Sequence, residues 1–209
     1  MDGSPAIEGP FINRNNQVHA GPAQRAYEFY FRLRDLPPGA SGPEWMVPPP
    51  SESSSGGIPA RAEAPEKTLA GYTIVASALP AELTRTSIKA GLAYEPWQTV
   101  STSHPTNSIE RTVSHAGLSW KVTHGAAIES KGGEVVVTFS YPRHQDWETR
   151  VAAVTRDDVE APQGRLFGGN QQATWTFPRL SLAEVKEFRF QVRPIRWVEF
   201  RDIALRPNP

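Results

Sequence analysis

The sequence contains no cysteine. That excludes disulfide staples, thiolate zinc sites and a thiol nucleophile. It leaves the compartment open, because a cysteine-free chain folds under oxidising and reducing conditions alike. Net charge is missing too: 22 Lys and Arg balance 22 Asp and Glu. Nucleic-acid binding is driven by clustered positive charge, so no nucleic-acid partner is expected. A surface tuned for anionic lipid is disfavoured on the same ground. There is no long apolar run. The longest low-polarity stretch, residues 72–79, falls far short of the roughly 20 residues that span a bilayer, so no transmembrane segment is expected. The opening MDGSPAIEGP lacks the basic and apolar regions of a signal peptide and reads as a disordered tail over 1–10.

Helix signals are scarce as well. Sixteen Gly and 20 Pro interrupt the chain throughout, and no long amphipathic helix survives between them. Short segments of period two recur instead. AYEFYFRLR sets Tyr27, Phe29, Phe31 and Leu33 on one face and Glu28, Arg32 and Arg34 on the other. Strands are expected at 70–79, 85–94 and 97–103, then in IERTVSHAG and LSWKVTHGAAI. Lys131-Gly132-Gly133 reads as a hairpin turn into 134–141. A strand at 147–156 has apolar residues on both faces, which predicts a central strand covered on both sides. Another is expected at 172–177, and Ser181 with Glu184 fits a capping box that starts one helical turn at 181–186.

About ten meandering strands with short connections predict an all-β fold: an antiparallel two-sheet β-sandwich, jelly-roll-like, forming a single domain over 1–209. The Pro-, Ser- and Gly-rich segment 36–67 is expected to be an irregular loop or linker, with Trp45 pinning its first part to the core.

Chemistry is hard to place. His19, His104, His115, His124 and His144 show no helical i, i+4 pairing, and neither a metal nor a cofactor is expected. GLSWK at 117–121 has Lys where a nucleophile elbow needs Gly, and the Gly pairs at 56–57, 132–133 and 168–169 match no phosphate-binding loop. Asp146 and Glu148 can share a strand face about 7 Å apart. Arg150 continues that row and favours a salt-bridge ladder over a carboxylate pair for glycan cleavage. Glu199 with Asp202 is the other local acidic pair.

The C-terminal stretch EFRFQVRPIRWVEFRDIAL holds the strongest candidate. Phe188, Phe190 and Val192 alternate with Glu187, Arg189, Gln191 and Arg193, and Pro194 seeds a turn. Val198 and Phe200 continue the apolar face, whereas Ile203 and Leu205 are in the opposite phase. A bulge near Arg201-Asp202 reconciles them. Read as a hairpin, the polar face carries Arg189, Gln191, Arg193, Trp197, Glu199 and Arg201 as candidate ligand-binding residues. Planar Trp and forked Arg recognise sugars and carboxylates. A charge ladder with Arg stems over Trp is the plainer reading.

The same stretch, TFPRLSLAEVKEFRFQVRPIRWVEFRDIALRP, resembles the C-terminal β-rich module of large bacterial regulatory proteins, mainly of planctomycete type. There it follows sigma-factor-like, anti-sigma or membrane-metallopeptidase sensor portions. The motif KEFxxQxRPxxWVEF is carried by Lys186, Glu187, Phe188, Gln191, Arg193, Pro194, Trp197, Val198, Glu199 and Phe200, with weaker likeness in FRLRDLPPGASGPEW, AYEPWQTVST and RVAAVTRD. The resemblance implies an appended, periplasmic or otherwise extracytoplasmic module and transfers no catalytic residue. The expected function is therefore a non-enzymatic sensing or protein-interaction module, with a protein or a glycan as partner. A carbohydrate-binding jelly roll is the alternative, and a glycan-cleaving enzyme stands behind both. Exposed co-planar Trp rings would favour sugar. An exposed apolar patch or open edge strand would favour protein.

Overall fold

The computed structural model describes residues 24–32, 36–41, 43–46, 72–164, 166–169 and 171–205. The tail at 1–10, most of the 36–67 segment, and Leu33 and Arg34 lie outside them. The described chain is all-β and antiparallel. In order the strands are β1 (Gln24–Arg32), β2 (Glu44–Met46), β3 (Tyr72–Pro80), β4 (Arg85–Leu92), β5 (Gln98–Ser103), β6 (Ile109–His115) and β7 (Leu118–His124). There follow β8 (Ile128–Glu129), β9 (Glu134–Ser140), β10 (Trp147–Thr155), β11 (Leu166–Gly169), β12 (Gln172–Pro178), β13 (Val185–Pro194) and β14 (Arg196–Ala204).

The sequence reads as one sandwich over 1–209, whereas the contacts group the chain into two compact units. One is built from both chain ends, Met1–Leu92 with Arg196–Pro209; the other is Ala93–Ile195.

The Ala93–Ile195 unit packs two sheets face to face. One has the order β11-β12-β9-β7-β6, with β8 also on β9; the other has the order β10-β13-β5. Period two dictates which side chains meet. Val135, Val137 and Phe139 of β9, Trp120 and Val122 of β7, and Trp175 and Phe177 of β12 point inward from the larger sheet. Phe188, Phe190 and Val192 answer from β13. Ring contacts bridge the two: Phe190 lies 6.2 Å from Phe139 and 6.0 Å from Trp120, and Phe177 lies 5.8 Å from Phe188. Each such buried aromatic stabilises the fold by roughly 1.5–3 kcal/mol relative to exposure.

β10 is buried on both faces over Val151–Val154, as its composition predicts. In its ladder, however, β13 is the central strand and β10 lies at one side. The Lys131-Gly132-Gly133 turn joins β8 to β9, with Gly133 at φ 73°. Ser181 donates both its backbone N–H and its Oγ–H to Glu184 Oε2, at 2.8 and 2.7 Å. That turn is short, and β13 already begins at Val185.

In the unit built from the chain ends, β1 pairs with β3, and β4 lies between β14 and β2. Trp45, Val75, Ile88 and Ala90 form its core, with Phe29, Phe31, Phe200 and Ile203 packed on it. Trp45 anchors the segment after Pro43: it is buried, its ring lies 4.4 Å from Phe31, and β2 places it opposite Ala90. The expected bulge is present. Phe200 pairs with Ile88 but Ile203 with Thr86, so Arg201 and Asp202 together face a single residue of β4. Asp202 takes φ 55° there, a left-handed conformation that Asp tolerates better than most residues.

One expectation is corrected. β13 and β14 do not pair as a hairpin; they lie in different sheets. β13 continues to β10 and β5, and β14 pairs with β4. Pro194 ends the ladder as expected, but the chain then leaves for another sheet.

Candidate functional site

Loss of the hairpin divides the candidate row. Arg189, Gln191 and Arg193 stand on β13 of the Ala93–Ile195 unit, and Trp197, Glu199 and Arg201 stand on β14 of the other. On β14, Arg201 Nε donates to Glu199 Oε2 at 2.7 Å, so these two side chains satisfy each other. Asp202 faces Arg85 at 3.9 Å.

The β13 half is richer than a solvated strand face. The face opposite Phe188, Phe190 and Val192 contains Gln191 and Arg193, exposed by only 7 % and 6 %. Register explains how such residues can be covered. Glu148 of β10 lies directly opposite Arg193, and Arg150 directly opposite Gln191. Thr99 of β5 lies opposite Gln191 on the other side. Arg193 Nε donates to Glu148 Oε2 at 2.6 Å. Arg150 Nε donates to Gln191 Oε1 at 2.7 Å, and Gln191 Nε2 donates to Thr99 Oγ1 at 3.1 Å.

Trp97, just before β5, completes the cluster. The guanidinium carbons of Arg150 and Arg193 lie 4.5 and 4.2 Å from its ring centroid. A Trp face is the best aromatic partner for a cation. Glu160 grips the free end of Arg150 with both oxygens, at 2.9 Å from Nη1 and 3.0 Å from Nη2. Its position follows from the chain turning back after β10. Ala161 N–H donates to Ala153 O at 2.8 Å and Thr155 N–H to Val159 O at 2.9 Å, which sets Glu160 across from Val154. Arg189 is held by Glu187 at 2.7 Å.

Burial pushes the Arg150 pKa down, and the neighbouring Arg193 adds to that, while Glu160 and Glu148 push it back up. Arginine remains cationic under such shifts. Arg150, Arg189 and Arg193 are thus matched by Glu160, Glu187 and Glu148. These three pairs balance one another in charge. The Arg193 pair braces β13 against β10, and the Arg150 pair braces β10 against the segment after it.

This changes the meaning of the carboxylates. Glu148, one of the possible acid pair with Asp146, binds Arg193. The ladder read from Asp146, Glu148 and Arg150 therefore exists, but it runs across strands rather than along one. Sequence reasoning found Glu148, Arg150, Gln191 and Arg193. It missed Thr99 and Glu160, and Trp97 entered it only within the stretch AYEPWQTVST. Glu160 lies in DDVEAPQG, which has no periodicity to mark it.

Three histidines, His115, His124 and His144, pack against aromatic rings, whereas His104 is exposed and His19 lies outside the described residues. His124 is buried, stacks on Phe139 at 4.8 Å and shares a 2.8 Å hydrogen bond between Nδ1 and the Gly125 carbonyl. His144 meets Trp120 edge-on at 4.4 Å, and His115 meets Trp147 likewise at 5.6 Å. Among the described residues no three His, Asp or Glu side chains form a metal-binding group, and no helix is long and apolar enough to cross a membrane.

No family model, no curated protein and no solved structure matches the chain.

Proposed function

We propose that the chain is a non-enzymatic sensing or protein-interaction β-sandwich module of the kind appended to bacterial regulatory proteins. The observation that carries this reading is the edge strand β11. Among the described residues it ends the larger sheet, and it exposes Leu166 by 46 % and Phe167 by 54 %. Large apolar side chains on an open strand edge are what β-strand addition to a protein partner uses. The resemblance of the KEFxxQxRPxxWVEF stretch to such appended modules is in keeping with this reading.

The charged row acts, in this reading, as a brace that fixes the β10-β13-β5 sheet. The carbohydrate reading has less to stand on. Trp45, Trp120 and Trp175 are buried and Trp97, Trp147 and Trp197 are half-buried, so no tryptophan offers a fully exposed platform.

The test is affinity capture with the full chain, comparing wild type with Phe167→Asp. A partner retained by wild type and lost with Phe167→Asp supports the reading. A glycan array that lights up equally for both proteins, with no protein retained, removes it.

A further inference from the structure

The hairpin of β6 and β7 turns on Ala116-Gly117, with φ of 50° and 77°. His115 and Leu118 close it. In a two-residue loop of this kind the closing pair exchanges both backbone hydrogen bonds. Alternation then turns the N–H and C=O of Ile109, Arg111, Val113 and His115 toward β7. The same groups of Glu110, Thr112 and Ser114 turn away from the sheet. The far side of β7 gives the same phase independently: Gly125 N–H donates to Thr138 O of β9 at 3.4 Å, so odd positions there face β9 and even ones face β6.

β6 is the last strand of its sheet. Glu110, Thr112 and Ser114 are exposed, and among the described residues no backbone group bonds to theirs. An open edge of this length is a template for another strand.

We propose that this edge pairs with the same edge of a second copy of the chain, antiparallel, about a two-fold axis at Thr112. The proposal goes beyond the interaction reading above and does not depend on it. A symmetric pairing has few registers. Centring on Glu110 or Arg111 sets like charges directly opposite, which is destabilising. Centring on Val113 or Ser114 leaves Ile109 without a partner. Centring on Thr112 uses the whole strand. Glu110 then meets the partner's Ser114, Arg111 meets the partner's Val113, and Ile109 meets the partner's His115. The outward groups supply about six backbone hydrogen bonds. Thr opposite Thr is a favourable cross-strand pair. Such an interface is isologous and closes at two copies.

The experiment is sedimentation velocity of the full chain over a concentration series, with Thr112→Lys, Thr112→Glu and their equimolar mixture. Thr112 points to solvent, so near-UV circular dichroism should match wild type in both variants. The expected result is a wild-type dimer whose dissociation constant rises about ten-fold or more in either variant alone, because like charges meet on the axis. The mixture, pairing Lys with Glu, regains dimer. A wild type that stays monomeric at every concentration overturns the proposal, as it would if this edge served a different protein. So does a dimer indifferent to both substitutions, or a mixture that sediments as two separate monomers.

Discussion

Arg193 and Glu148 lie directly opposite one another on β13 and β10, with Nε 2.6 Å from Oε2 and the arginine side chain only 8 % exposed. A charge held that far from water depends on its partner. Breaking a buried pair from one side costs more than replacing both members.

Glu148→Ala is therefore expected to destabilise the protein by about 3 kcal/mol, since it leaves Arg193 covered without its carboxylate. The double substitution Glu148→Leu with Arg193→Met should cost less than the sum of the two single changes. Urea denaturation followed by near-UV circular dichroism, arranged as a double-mutant cycle, measures the difference.

Trp97→Ala removes the ring under two guanidinium groups. A desolvated cation–aromatic contact is worth about 2 kcal/mol. Trp97→Phe keeps a weaker face and should retain part of it. If Trp97→Ala unfolds at the wild-type denaturant concentration, the ring is not a structural partner of Arg150 and Arg193.

Two exposed carboxylates set an acid-side dependence. The hydrogen bond from Lys186, reinforced by its charge, holds the Asp158 pKa below its ordinary value. Hydrogen bonds from the Ser181 side chain and backbone do the same for Glu184. Both folded values are depressed, so their contribution is fully present above the unfolded carboxylate pKa of about 4. It is lost as pH falls through the lower folded values. Asp158→Asn and Glu184→Gln should each flatten the fall in melting temperature on acidification. An unchanged acid limb in both variants contradicts this.

The bulge at Arg201-Asp202 gives an expectation for the other unit. Asp202 has φ 55°, so Asp202→Gly should be neutral or slightly stabilising and Asp202→Val should cost about 1–2 kcal/mol. Thermal unfolding of the two variants decides it. Equal melting temperatures would mean that the backbone there relaxes without cost.

These expectations also show what the sequence made legible. Faces were readable because period two fixes them: the Phe188, Phe190 and Val192 row is in the core, and the phase change from Phe200 to Ile203 is a real bulge. Trp45 was readable as an anchor because a large aromatic stands alone among Pro and Ser. Partners were not readable. Alternation says which side of a strand is dry but not which strand lies beside it, so β13 and β14 looked like a hairpin across Pro194. β2 and β11, at 3 and 4 residues, are too short to show a period at all. The cluster was half visible for the same reason. Its β13 and β10 rows alternate, whereas Trp97 and Glu160 arrive from connecting segments.

The most direct measurement compares partner capture by wild type, Phe167→Asp and Arg189→Ala of the full chain. Arg189 lies on the charged face, paired with Glu187, and Phe167 lies on the open edge. A partner lost with Phe167→Asp and kept with Arg189→Ala is the predicted result. Loss with Arg189→Ala and retention with Phe167→Asp would make the charged face the recognition surface and contradict the account.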